Sequence, residues 1–177
     1  MGDTLITVVA IFLAAILMFV FPLMTMADRT DDISNLAVQT ATSEFVDDVR
    51  TTGKMSLDDY DAYLADLAAT GNTFDVDILI QQLDENPGVK TTQAEATKIG
   101  ENLYYNIYTT QVEDMLYNNG RITLKEGDLV TVTAKNSNQT ISQMLRNFFY
   151  AISGNDEYNI AGQATGVVAV NGSTSER

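Results

Sequence analysis

The chain contains neither cysteine nor histidine. Without cysteine it has no disulfide framework and no thiolate nucleophile or ligand. Without histidine it lacks the commonest general base and metal-binding side chain. Basic residues are scarce, with 10 Lys and Arg against 24 Asp and Glu and a formal net charge of -14. An acidic surface of this kind repels nucleic acid and anionic lipid, so neither is expected as a partner. These scarcities point away from an enzyme. No catalytic residue, metal or cofactor is expected.

Charge is also missing from one whole stretch. Between Asp3 and Asp28 the chain reads TLITVVAIFLAAILMFVFPLMTMA, with no ionisable side chain. A bilayer core needs ~20 apolar residues in a helix, so residues 4–27 are long enough to cross it. A cleavable signal would have a basic start, a shorter apolar core and a small-residue cleavage site. Here only Asp3 precedes the run, and Met24-Thr25-Met26 is a poor cleavage site, so a retained segment is expected. Arg29 is the one basic residue close to the span and marks orientation weakly. The polar Thr, Asn, Ser and Asp content of the remainder places the C-terminal domain outside.

The apolar run does not break at Asp28. Ile33, Ala37, Ala41, Phe45 and Val49 recur every four residues, with Leu36, Val38 and Thr42 in the neighbouring row. This spacing predicts an amphipathic helix packed on the chain's own sheet. Gly53 offers a left-handed stop. The N-terminal helix therefore occupies residues 1–53, apolar all round over 4–27 and amphipathic over 28–51, for ~70 Å at ~1.5 Å per residue. Pro22 lacks an N–H and crowds the carbonyl of Met18, which predicts a bend or local opening between Met18 and Met24.

An α+β globular domain is expected over residues 54–170, with a polar tail at 171–177. Ser56-x-x-Asp59 resembles a capping box ahead of Leu57, Tyr60, Leu64 and Leu67 at helical spacing. Phe74, Val76, Ile78 and Ile80 alternate with Asp75, Asp77, Leu79 and Gln81, as in a half-buried strand. Asn86-Pro87-Gly88 is turn chemistry. The tyrosine-rich segment 103–108 reads as a strand, followed by a helix from Thr110-x-x-Glu113 to Asn119-Gly120; one helix over 94–117 is the alternative. Residues 122–134 read as a strand bent at Gly127. Thr140 caps a helix bearing Ile141, Leu145, Phe148 or Phe149, and Ile152. A last strand over 160–170 is loosened by Gly162 and Gly166.

Several constellations invite a functional reading. Asp58-Asp59-Tyr60-Asp61 and the set Asp28, Asp31 and Asp32 lack the spacing of a calcium loop, so solvated acidic faces are preferred. Tyr104, Tyr105, Tyr108 and Tyr117 suit either a recognition surface or packing on the core, and packing is preferred. Asn138-Gln139-Thr140 and Asn171-Gly172-Ser173 match glycosylation sequons. Asp3 suits a helix cap or a pairing with the N-terminal amine of a neighbouring copy.

An apolar N-terminal segment that continues as an amphipathic helix into a small αβ domain resembles the type IV pilin class. Pro22 sits at about the depth where those pilins often carry a proline. Gly127-Asp128 leading into Leu-Val-Thr-Val, and a late helix before the closing strand, are similar to the Tad-type branch and its TadE-like pilins and pseudopilins. The glutamate that the family carries a few residues into the apolar run has no counterpart; Asp3 is the nearest acid. The resemblance implies a structural subunit of an extracellular filament, inserted in the cytoplasmic membrane before a pilus assembly machinery polymerises it with copies of itself. Leu5, Val8, Val9, Phe12, Ala15, Phe19 and Pro22 would then form the subunit interface, with Asp3 as the charge partner. Small residues such as Ala10, Ala14 and Ala15 permit close helix approach. The alternative is a bitopic, membrane-anchored pseudopilin-like assembly factor or receptor domain acting outside a filament.

Overall fold

A computed structural model describes residues 2–83, 104–144 and 161–172. Helix α1 (Gly2–Thr52) is followed by β1 (Lys54–Ser56), α2 (Leu57–Ala69), β2 (Phe74–Leu83), β3 (Tyr104–Tyr108), α3 (Thr109–Asn119), β4 (Arg121–Thr123), β5 (Leu129–Asn136) and β6 (Ala161–Val167). The α+β class expected from the sequence is the class observed. The expected turn at Asn86-Pro87-Gly88 and the apolar positions at Leu145, Phe148, Phe149 and Ile152 lie outside the described residues.

Helix α1 runs for 51 residues without interruption. The helix continues past Pro22, so any bend or opening there does not end it, and the Thr25 hydroxyl donates to the Phe21 carbonyl at 3.0 Å. One missing hydrogen bond in an apolar helix of this length does not end it, since every other turn remains bonded. Gly53, at φ 66°, stops the helix in the left-handed region, and its N–H donates to the Val49 carbonyl at 2.9 Å. A side chain there would collide with the backbone of Val170 and Gly172.

Four antiparallel strands form the main sheet in the order β3-β2-β5-β6, and β1 pairs with β4 in a separate ribbon. Residues 122–134 are therefore two strands in two sheets, not one bent strand. Asp128 makes the division. Its buried carboxylate accepts from the Leu83 N–H at 3.1 Å and the Lys125 N–H at 2.9 Å, which ties the loop after β4 to the end of β2. Gly127, at φ 95°, lets the chain turn into β5.

One face of the main sheet carries the core. Ile78 and Ile80 of β2 and Val130, Val132 and Ala134 of β5 point inward, where they meet Val38, Phe45, Val46 and Val49 of α1. Tyr60, Tyr63 and Leu67 of α2 and Val112 and Leu116 of α3 join the same cluster. Phe45 stacks on Tyr63 at a centroid distance of 4.7 Å. Burying each large aliphatic side chain contributes ~1.5–3 kcal/mol, so this cluster is what holds the domain. Glycines let β6 approach the helix: a Cβ at Gly162 would sit 2.9 Å from Val38 Cγ1 and Thr42 Oγ1. Gly162 and Gly166 are thus fitted to α1, where the sequence read them only as weakening the strand.

The buried line of α1 is Ser34, Val38, Thr42, Phe45, Val46 and Val49, with Asp31 at its lower end. This corrects the expected stripe: Ile33, Leu36 and Ala37 are exposed, and Ala41 is half-buried. The row that meets the sheet is rotated by about one residue position, and short polar side chains fill it where β6 comes close. Helix α2 starts with the expected capping box, in which Ser56 Oγ accepts from the Asp59 N–H at 3.1 Å. Strand β3 and α3 follow the preferred strand-then-helix reading, although α3 begins at Thr109 and not after Thr110. There the Gln111 side chain accepts from the Tyr108 N–H at 3.1 Å. Thr140 caps a helix at 141–144, as expected, through a reciprocal bond with Gln143, although Ile141 is exposed.

Two predictions follow from this core. Gly162→Ala should destabilise the domain by ~1–3 kcal/mol through overpacking, read as a lower denaturant midpoint at unchanged slope. The second concerns tyrosine ionisation. Burial, together with the hydrogen bond to the Glu113 carboxylate at 2.9 Å, pushes the Tyr60 phenol well above its ordinary value of 10.0, and burial raises Tyr63 as well. The unfolded chain releases these protons first. The stability is therefore full below the ordinary tyrosine value and is lost as pH climbs from it toward the raised folded values. Thermal melts should fall steeply above pH ~10. Tyr60→Phe should flatten that fall while costing ~1 kcal/mol at neutral pH for the lost bond to Glu113.

Candidate assembly surface

Among the described residues, none of the apolar half of α1 is buried; Val20, Met24 and Ala27 are half-buried and the rest are exposed. Its most hydrophobic window is 0% buried, and the helix is long and apolar enough to cross a membrane. The sequence-predicted interface residues are all exposed on it: Leu5, Val8, Val9, Phe12 at 67% and Phe19 at 78%, with Ala15 and Pro22. At ~100° per residue these positions cluster on one side of the helix. Asp3 is exposed in the first turn, where its carboxylate lies at the positive end of the helix dipole.

That side extends further than the apolar run. Counting on at ~100° per residue, Ile33 and Ala37 fall in the same arc as Phe12, Phe19 and Pro22. They are exposed, as this phase requires, with Ile33 at 67%. The opposite side is marked by half-buried Val20, Met24, Ala27 and Asp28, which lead into buried Asp31 and the domain core. Ile33 and Ala37 also line a groove of about 350 Å³ between α1 and the end of α2, with Thr30, Ser34, Asp66, Ala69 and Thr70. The sequence reading assigned Ile33 and Ala37 to the domain core. A strict helical wheel starting from Phe12 would have found them, whereas the four-residue repeat ending at Val49 concealed them.

A polar clamp fixes the foot of the domain to α1. Asp31 is 5% exposed and accepts from the Thr140 hydroxyl at 2.7 Å, and Asp28 accepts from the Ser142 hydroxyl at 2.5 Å. The set Asp28, Asp31 and Asp32 is therefore not one solvated acidic face: only Asp32 is fully exposed. Among the described residues, no group of three or more Asp, Glu, His or Cys side chains gathers to hold a metal. The sequon at Asn138 is built into the same region. Asn138 accepts from the Thr73 N–H at 2.7 Å, donates to Asn72, and shares its motif with buried Thr140. Its amide is engaged in the folded domain.

The tyrosines depart from the preferred reading. Tyr104, Tyr105, Tyr108 and Tyr117 are exposed, and the buried aromatic core is made by Phe45, Tyr60 and Tyr63 instead. Comparison with known proteins finds no family model, no curated protein and no solved structure that matches this chain.

If Ile33 belongs to the outward strip, Ile33→Asp should leave the melting of the domain within ~0.5 kcal/mol of wild type. Val38→Asp, five residues along and fully buried, should cost more than ~3 kcal/mol through an unpaired buried charge. Chemical denaturation of the full-length variants checks both.

Proposed function

We propose that this chain is a structural subunit of an extracellular type IV pilus-like filament of the Tad type, polymerising through its N-terminal helix. The observation that supports the reading is the form of α1. A single 51-residue helix carries an apolar half whose side chains are mostly exposed and a second half that is the spine of a folded domain. No linker separates them, so an assembly of the apolar halves would place the domains at fixed positions around it. The exposed strip continues from the apolar run to Ile33 and Ala37 beside the domain, a position that a neighbouring copy's helix reaches in a staggered bundle. Close approach is favoured by Ala10, Ala14 and Ala15.

In this reading the protein sits in the cytoplasmic membrane before assembly, where residues 4–27 span it. It then moves to the cell surface as a homopolymer. Its partners are other copies of itself and a pilus assembly machinery; no cofactor takes part. A monomeric, membrane-anchored pseudopilin-like role is the competing reading, supported by the same span length.

Ile33 separates the two, because it lies outside the membrane-spanning stretch. Electron microscopy of sheared surface material should show filaments that label with antibody to this chain. Ile33→Asp should cut filament yield at least tenfold while membrane insertion and domain folding stay at wild-type level. Absence of filaments from the wild-type surface, with the chain still in the membrane fraction, would favour the anchor.

A further inference from the structure

The face of the main sheet turned away from the helices has an unusual composition for so acidic a chain. Registered side by side on that face are Tyr104 with Leu83, Asn106 with Gln81, Leu129 and Val167, and Tyr108 with Leu79, Thr131 and Thr165. No charged side chain occurs in these three rows. Charge returns only toward the foot of the domain, with Asp77, Asp75 and Lys135. The polar groups are aligned: Gln81 Nε2 donates to Asn106 Oδ1 at 3.1 Å, and Asn106 Nδ2 donates to the Tyr108 hydroxyl at 3.3 Å. That chain leaves the Tyr108 proton and the Gln81 carbonyl free to bond outward. The ring of Tyr108 is 59% exposed.

We infer that this face is a binding site for a neutral carbohydrate. Three features of the face select that class. Amides and phenols without charge match a ligand rich in hydroxyls, whereas a chain at -14 repels an anionic glycan. Tyrosine rings offer flat apolar area with a polar edge at small entropic cost, which suits stacking on the C–H face of a sugar ring. Size excludes the commonest competitor. Four strands at ~4.8 Å spacing and three registered rows ~7 Å apart cover only ~400 Å², about half of the ~800 Å² per partner of a stable protein interface. The footprint is that of a short oligosaccharide, not of a second copy. The site does not depend on polymerisation, because it lies on the domain and not on the apolar half of α1.

Affinity electrophoresis of the full-length protein in lipid nanodiscs tests it, with gels containing mannan, xylan or dextran as neutral probes and alginate as the anionic one. The expected result is retardation by at least one neutral polysaccharide and none by alginate. Tyr108→Ala should weaken retardation at least tenfold and Tyr108→Phe should retain most of it. Tyr117→Ala, an exposed tyrosine on α3 away from this face, should change nothing. Thr131→Lys, on the central strand β5, supplies an independent block if Tyr108→Ala melts early. No retardation in any neutral gel overturns the site, as does equal loss in Tyr117→Ala. Self-association that disappears in Tyr108→Ala without any retardation overturns it in favour of a second copy.

Discussion

The rest of the structure depends on an unequal division of hydrophobic burial along one helix. In α1 the helix continues through Pro22, one hydrogen bond short, and through the Ala27–Asp28 junction, but the solvent that each half requires is different. The first half is apolar on every side and mostly exposed, so its free energy depends chiefly on lipid or on other chains. In the second half Val38, Phe45, Val46 and Val49 complete the core of the sheet together with residues of α2 and α3. A helix that belongs to two environments cannot relax in one without carrying the other along.

Close packing at the second half explains residues that otherwise look like defects. Thr42 and Val38 of α1 face Gly162 of β6, and Val46 and Arg50 face Gly166, so the two backbones meet where larger side chains would hold them apart. Thr42 satisfies its own hydroxyl by donating to the Val38 carbonyl at 2.7 Å, and Tyr63 donates to Thr42 from α2 at 3.0 Å. The core is therefore apolar in its middle and hydrogen-bonded along the seam with the helix. Asp128 plays the same part at the other end of the sheet, where two backbone N–H groups would otherwise lack acceptors.

Much of this was legible in the sequence, and the misses share a cause. The elements with a strong local signal were recovered: the charge-free run, the Gly53 stop, the Ser56 capping box, the alternation from Phe74 to Ile80 and the strand-to-helix change after Tyr108. What local pattern could not supply was a partner. Ile33 and Val38 are both aliphatic on one helix, and only the position of β6 decides which is buried. The tyrosines at 104 and 108 alternate as strand residues should, but which face of a sheet meets the helices is a tertiary fact. Asp31 reads as surface charge until Thr140, far along the chain, is brought to it. Within the proposed assembly surface, the apolar residues from Leu5 to Pro22 were evident from hydropathy; their continuation to Ile33 needed the observed phase of the helix.

The clamp at the foot of the domain has a mechanical consequence. Tension applied to the apolar end of α1 enters the domain first at Asp28 and Asp31, through their bonds to Ser142 and Thr140. At the far end the helix is held again, where the Ala169 N–H donates to the Arg50 carbonyl at 2.9 Å and Gly53 is pinned beneath Val170 and Gly172. Between these two anchorages α1 lies against β6 and β5, so a pull along its axis loads the whole seam in shear instead of peeling contacts one at a time. Side chains seated against Gly162 and Gly166 then act as teeth that must all slip together, which makes the helix a tension rod and the domain its grip.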